Sequence, residues 1–343
     1  MQSKMIKRSR WITAALGIVI SLIFLWFAFR DLQPAAVWAS IQQVNGWLLL
    51  AAVVVFFVST VIIALRWGFL LRSARRIPLR QLTELVCIGY AGNNVYPFRS
   101  GEVLRIFLLQ RQHAVPFARG TTTVVVERVF DGLVMLSFIV IPLLFGEIAA
   151  PEARLVTTVA GPVFLAATVV FFALAARPSL LRGLLNWLSR WLPERLARAL
   201  TGIGEDVLGG LEGLRTPADL AGAALSSYGT WIVHAGVYWL VALAFPDLRV
   251  SFGVLVLIVG VVNLAGLIPA SPGQFGVFEF LVSAVLIAAG APAGTAQAYA
   301  LVVHMVIWLP VTLVGLGLLL RQGLGLGAVA RAREIETTAA GTQ

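Results

Sequence analysis

The sequence predicts an all-α polytopic membrane protein, with about six full transmembrane helices and two re-entrant, broken helical hairpins in an inverted-topology repeat, plus one interfacial helix. Three observations predict it. Hydrophobic residues make up 59% of the 343 positions and charged ones only 12%, with a mean hydropathy of +0.91. Apolar runs of about 20 residues recur, the length that a bilayer core of about 30 Å demands of a helix. Two apolar stretches are interrupted by Pro and Gly beside ionisable residues, AGNNVYPFRSGEVLR at 91–105 and VVNLAGLIPASPGQFGVFEF at 261–280. An ionisable residue at membrane depth costs roughly 2.5–3.5 kcal/mol on insertion scales, so such breaks belong to a protein-lined cavity rather than to a lipid-facing helix.

The elements follow in order. Lys4, Lys7, Arg8 and Arg10 lie in a basic segment, 1–10, ahead of the apolar run from Trp11 to Phe29. That run is too long for a signal-peptide core and lacks a cleavage motif, so it is a first span entering from the cytoplasm. Arg30, Asp31 and Pro34 close it on the far side. Residues 47–70 form the second span, and Arg66, Arg72, Arg75, Arg76 and Arg80 mark its exit as cytoplasmic. Residues 82–98 are too few to span comfortably, and after the Pro97 to Gly101 break a second short stretch runs to about 117, which fits a re-entrant hairpin.

The next span, 120–145, carries Glu127, Arg128 and Asp131 among fifteen Val, Leu, Ile and Phe residues. Each of those contributes roughly 0.3–0.6 kcal/mol to insertion and each central charge costs about 2.5–3.5. The sums nearly cancel, so this helix belongs inside the bundle against the hairpin. Glu147, Pro151, Glu152 and Arg154 form an external loop before a span at 155–176. Arginines among leucines and tryptophans at helical spacing then describe a surface helix within 179–215. A span at 219–245 ends at Pro246 and Asp247, the second hairpin fills 250–290, and the last span runs over 296–320. Arg321, Arg331 and Arg333 make its end cytoplasmic, and 334–343 read as a disordered tail. The transmembrane domain is therefore 11–320, with repeats at 11–145 and 155–320 and a partly disordered cytoplasmic tail at 321–343.

Pro97 to Gly101 and Pro269 to Gly273 lie almost half the chain apart, each between two full spans. The span before the first hairpin runs inward and the span before the second runs outward, so the halves are antiparallel. Secondary transporters are built this way, with half-helix ends and freed backbone groups at the substrate site. Helix N-termini at Gly101 and Gly273 would favour an anionic group such as phosphate. Pro272 and Gly276 extend the second break.

The ionisable residues suggest roles. Arg99 and Arg105 suit a phosphate through bidentate guanidinium contacts, with Asn94 beside them. Glu102, Glu127, Asp131 and Glu279 suit a cationic headgroup or a coupling proton. Arg128 and Asp131, three apart, also suit an internal ion pair. His234 and His304 read as core histidines, because no carboxylate or cysteine stands at ligand spacing beside either. The formal charge of +10 is spread over segments flanking apolar runs, which fits topogenic arginines and argues against a nucleic-acid partner. Cys87, the single cysteine, forms no intramolecular disulfide and reads as a buried small residue. No Gly-rich phosphate loop, G-x-S-x-G or H-E-x-x-H is present, so neither a catalytic motif nor a cofactor or metal is expected.

NNVYPFRSGEVLR, VVERVFDGLV and IPASPGQFGVFEF, in this order, resemble the lysylphosphatidylglycerol synthase transmembrane region, also called the flippase-like domain family, over about residues 10–322. The resemblance implies movement of lipids between leaflets; in the multiple peptide resistance factor this domain is fused to a cytoplasmic aminoacyl-transferase. Carried onto this chain, the motif residues are Asn94, Pro97, Arg99, Gly101, Glu102 and Arg105, then Glu127, Arg128 and Asp131, then Pro269, Pro272, Gly273, Gly276 and Glu279. No transferase is expected after the last span. The expected function is a lipid translocase of the cell membrane, both termini cytoplasmic, acting on a phospholipid, an aminoacyl-lipid or a polyprenyl-type lipid, with a separate lipid-modifying synthase as a partner. Two alternatives use the same residues differently. One is a membrane-embedded enzyme or accessory subunit of lipid glycosylation, with the carboxylates as acid and base; the other is a scaffold anchoring a soluble synthase.

Overall fold

The computed structural model describes residues 34–72, 74–96, 100–146, 178–194, 217–266 and 272–323, with isolated positions among 19–27, at 166 and among 196–204. The expected first span, the span at 155–176, the external loop, the tail after 323, Pro97, Arg99 and Pro269 all lie outside the described residues, or nearly so. Within them the chain is all-helical, with no strand.

Ten α-helices follow in order: α1 (Pro34–Gln42), α2 (Gly46–Leu71), α3 (Leu79–Val95), α4 (Ser100–His113), α5 (Phe117–Leu144), α6 (Pro178–Ser189), α7 (Pro217–Ala244), α8 (Phe252–Ala265), α9 (Val277–Ala288) and α10 (Ala293–Arg321), a count made of the described residues. A 3-10 turn, Pro272–Gln274, sits between α8 and α9. Helix α1 was not expected: the fixed φ and missing N–H of Pro34 suit the first position of a helix, and Pro34 opens α1, while the end of the first span lies outside the described residues.

Local chemistry sets the boundaries. Asn45 caps α2, its side chain accepting from the Trp47 N–H at 3.0 Å, and Ser251 caps α8 by accepting from the Val254 N–H at 3.2 Å. Helices α3 and α4 hold 17 and 14 residues, α8 and α9 hold 14 and 12. At 1.5 Å per residue none of the four exceeds about 26 Å, short of a bilayer core of about 30 Å. By contrast, α2 and α10 are long and apolar enough to cross a membrane, and only a third of each apolar window is buried. Their outward faces carry Trp47, Leu50, Val54, Leu313 and Leu320 in exposed positions, an extended apolar surface of the sort that marks a protein or membrane contact.

The packing repeats itself. Helix α2 lies along α7, α3 packs on α10, and α8 packs on α5. The pairs α3 with α4 and α8 with α9 are the two broken segments, while α4 meets α5 and α9 meets α10. Exchanging α2 to α5 with α7 to α10 maps each of these pairs onto another, or onto itself. One apolar core is centred on α7, α8 and α10, with Tyr238, Val241, Leu255, Ile258, Tyr299 and Val303 at its heart. A second, of Trp67, Leu71, Leu82, Leu85, Leu104 and Leu108, fixes α2 against both limbs of the first break.

Helix α6 buries Leu185 and exposes Arg182 and Trp187. It falls within the segment expected to be amphipathic.

Candidate functional site: a cavity between the two breaks

The first break brings its limbs together at glycine. A Cβ on Gly101 would stand 1.8 Å from the Gly89 carbonyl oxygen and 2.5 Å from the Asn93 nitrogen, so α4 crosses α3 at a distance that only glycine allows. The Gly101 N–H, expected to be available to an anion, donates instead to Asn93 Oδ1 at 2.9 Å. Asn94, one residue on, donates to Thr312 Oγ1 of α10 at 2.7 Å, tying the first break to the second half.

Behind α4 lies a buried ionic cluster. Glu127 and Asp131 are four apart on α5 and share one face, as do Glu102 and Arg105, three apart on α4. Arg105 donates to Glu127 Oε2 in a close, buried ion pair, and its guanidinium lies 4.6 Å from the Trp67 ring. Arg66 of α2 donates to Asp131 through both terminal nitrogens, at 2.5 and 3.3 Å, to Glu127 Oε1 at 3.4 Å and to Ser227 Oγ of α7 at 3.2 Å. The Trp231 indole N–H of α7 donates to the same Asp131 Oδ1 at 2.7 Å. Arg128 completes the cluster, 3.3 Å from Asp131 Oδ2 and 3.6 Å from Glu102 Oε1. The internal pair of Arg128 with Asp131 expected from spacing is therefore present.

Three arginines and three carboxylates balance among the described residues. Exposure separates them. The Arg66, Arg105 and Glu127 side chains are at most 5% exposed, whereas Arg128 is 41% exposed. Arg66 is a correction: it was read as a cytoplasmic flank of its span, yet it is buried in this cluster. Two carboxylates, a serine and a bidentate geometry offset its desolvation.

The second break is built differently. Gly276, at φ +91°, caps α9, and Glu279 reaches back to accept from the Gly276 N–H at 2.6 Å. The helix N-terminus expected at Gly273 lies three residues later, and a protein carboxylate already occupies it. The other oxygen of Glu279 meets His304 Nδ1 at 2.6 Å, while His304 Nε2 meets the Gly273 carbonyl at 2.9 Å. His304 was expected to be a core histidine without a carboxylate nearby; its carboxylate comes from another helix.

Between the breaks lies a cavity of about 360 Å³. Its first-half wall includes Asn93, Asn94, Glu102, Arg105, Arg128 and Asp131, together with Arg66; its second-half wall includes Asn263, Gly273, Gln274, His304 and Trp308. Aromatic rings close one side, from Phe56 and Trp231 through His234 and Tyr238 to Phe278. Of the expected site residues, Asn94, Glu102, Arg105, Arg128 and Asp131 meet there. Glu127 and Glu279 do not line it, since one stands behind Arg105 and the other is engaged by its cap and by His304. Arg66, His234 and His304 were missed as site residues. Among the described residues no group of three His, Cys, Asp or Glu side chains is placed to hold a metal.

A family model described as the lysylphosphatidylglycerol synthase TM region matches residues 14–315. The chain is 27% identical over 322 residues to a Haloferax volcanii protein named glycosyltransferase AglD, covering 85% of this chain but only 51% of AglD. It is 22% identical to a UPF0104 membrane protein of Methanothermobacter thermautotrophicus, covering 90% of this chain and 92% of that one. A UPF0104 membrane protein of Pyrococcus horikoshii is also 22% identical, over 90% and 96% of the two chains.

Proposed function

Because the chain belongs to the lysylphosphatidylglycerol synthase TM region family of membrane proteins, we propose that it is a lipid translocase whose headgroup site is the cavity between the two breaks. The observation that carries this reading is the position of Arg128, a half-exposed guanidinium at the cavity wall that contacts Glu102 and Asp131 while Arg66 and Arg105 are buried. A phosphate-bearing headgroup takes the place of Glu102 on Arg128, because a phosphate offers three strong acceptors and matches the planar fork. Arg66 and Arg105, already committed to Glu127 and Asp131, fix the cluster rather than clamp the ligand. A volume of about 360 Å³ lies in the range of small-molecule sites, roughly 300–1,000 Å³. The headgroup enters and the acyl or prenyl chains stay outside.

In this reading the short limbs α3 with α4 and α8 with α9 are re-entrant hairpins of an inverted repeat, and the packing exchange between the halves supports it. Both termini are cytoplasmic, α6 lies on the cytoplasmic face of the cell membrane, and a separate lipid-modifying synthase supplies the substrate. The lipid is an anionic phospholipid, an aminoacyl-lipid or a polyprenyl phosphate.

Reconstitution into vesicles with trace fluorescent phosphatidylglycerol or polyprenyl phosphate tests it. Arg128→Gln removes a charge-assisted contact of about 1.5–3 kcal/mol and should slow movement of anionic lipids about 10- to 100-fold. If the wild type moves none of these lipids, the reading fails. A second reading, an enzyme or accessory subunit of lipid glycosylation, draws on the likeness to AglD. A lipid recovered chemically altered would favour it; relocation without alteration favours the carrier.

A further inference from the structure

The Glu279 and His304 pair stands apart from the contacts of Arg128, it is the only carboxylate–imidazole contact among the described ion pairs, and His304 forms part of the cavity wall. Its hydrogens can be counted. The Gly273 carbonyl can only accept, so the His304 Nε2 facing it at 2.9 Å carries a hydrogen. Glu279 Oε2 accepts from the Gly276 N–H at 2.6 Å. Between Nδ1 and Oε1, 2.6 Å apart, there is room for one hydrogen and need of one: with none, a lone pair faces a carboxylate.

The pair therefore holds two hydrogens and is neutral as a unit, whether written as imidazolium with carboxylate or as imidazole with carboxylic acid. The ring is held in place by Phe278, stacked at 4.2 Å, and by Phe275 at 4.7 Å. The ionisable groups that the helices packed on α10 bring to the same cavity are Tyr90 from α3, Arg66 from α2, and His234 and Tyr238 from α7. None of them bonds to the pair. From α10 itself, Tyr299 donates elsewhere, to the Tyr238 carbonyl.

We propose that Glu279 and His304 form a proton-binding site, and that the proton bound there latches the second break to α10 and couples lipid movement to a proton gradient. This rests on the translocase reading. Loss of one proton to water leaves the pair with a net charge of −1 in a site 1–3% exposed. Either the contact between Nδ1 and Oε1 or the hydrogen bond to Gly273 must then break, because one hydrogen cannot serve both. Each of these contacts ties α10 to the turn at 272–276 or to the cap of α9, so deprotonation frees the break and reprotonation closes it. Among the described residues the first break has no equivalent: its Glu127 is neutralised by arginines, which do not give up a proton.

The test uses the full chain in vesicles of zwitterionic lipid with trace fluorescent phosphatidylglycerol, a pH-sensitive dye inside and the membrane potential clamped at zero. With one proton per lipid, a one-unit pH difference should drive a leaflet ratio of about tenfold, since one unit is a tenfold ratio of proton activity, and the dye should report matching proton flux. Glu279→Gln, which keeps an acceptor for Gly276, and His304→Gln, which keeps a donor for Gly273, should bring that ratio to one. A wild type that moves lipid with no response to the gradient overturns the proton site and leaves the translocase standing. A wild type that moves neither this lipid nor polyprenyl phosphate overturns the translocase, and infrared difference titration of the purified protein then decides the dyad. The expected result is a pH-dependent carboxyl signal that disappears in Glu279→Gln and shifts in His304→Gln. A spectrum unchanged by Glu279→Gln overturns it.

Discussion

The two breaks occupy corresponding places in a repeated packing pattern and solve the same problem, an interrupted helix beside a cavity, with opposite chemistry. At the first, α4 and α5 carry formal charges that are satisfied by other formal charges, Arg105 with Glu127 and Arg66 with Asp131. At the second, one carboxylate is satisfied by a backbone N–H and an imidazole. An arginine cluster is permanently ionised and costly to disturb, so it suits a fixed scaffold; a carboxylate and histidine pair changes charge by one proton, so it suits a part that changes state.

The sharpest way to break this comparison is to unbalance the first cluster. Glu127→Gln leaves Arg105 without its carboxylate in a site where neither is more than 5% exposed, and removing one member of a buried pair costs about 3–5 kcal/mol. The loss should appear as a lower midpoint of thermal unfolding in detergent. Adding Arg105→Gln should recover part of it, because no uncompensated charge is left. A single variant within about 0.5 kcal/mol of wild type would mean that the cluster is not a scaffold.

Next in size is Gly101→Ala. The added carbon would overlap the Gly89 carbonyl at 1.8 Å, and separating the limbs should cost about 1–3 kcal/mol or more, read by the same unfolding measurement. At the second break the matching change, Gly276→Ala, meets a conformational barrier at φ +91°, again about 1–3 kcal/mol. The two are distinguishable: Gly101→Ala should also disturb the hydrogen bond from Gly101 to Asn93 and loosen α4, while Gly276→Ala should act on α9 alone, which hydrogen exchange resolves. Of similar size is Glu279→Ala, which removes the bond to the Gly276 N–H at the start of α9 and leaves His304 Nδ1 without its carboxylate in a buried site, about 1–3 kcal/mol. Glu279→Gln should retain most of that stability, since it keeps an acceptor for Gly276.

Much of this framework was legible in the sequence. A helix, Gly46–Leu71, stands where a span was expected at 47–70, another, Pro217–Ala244, where one was expected at 219–245, and the charged helix expected inside the bundle packs against α4 and α8. Those readings rest on runs of apolar residues and on their interruption, which are local signals. What was not legible is non-local. Glu279 and His304 stand 25 positions apart on different helices, so no ligand spacing links them. Arg66 was grouped with Arg72, Arg75, Arg76 and Arg80, although Leu65 and Trp67 flank it and Phe69, Leu70 and Leu71 follow it inside the helix. That apolar continuation was the available signal that it is not a flanking charge. Helix α1 went unread because nine residues carry little periodicity and its opening proline was taken as a stop.

The smallest stability effect is expected where the largest functional one is proposed. Arg128 is 41% exposed, and its contacts to Asp131 and Glu102 stand at 3.3 and 3.6 Å. A partly exposed ion pair contributes about 0–1 kcal/mol, so Arg128→Gln should lower stability by no more than that while slowing anionic lipid movement about 10- to 100-fold. Unfolding and transport measured on the same preparation give the decisive ratio. If Arg128→Gln destabilises as much as Glu127→Gln, then Arg128 belongs to the scaffold with Arg66 and Arg105, and the contrast within the first cluster collapses. If stability holds and transport falls, the cluster divides by exposure into four buried groups, Arg66, Arg105, Glu127 and Asp131, that fix the wall, and Arg128, which meets the headgroup. The division then explains why α4 and α5 bring an excess of charge to the first break that the second does not need.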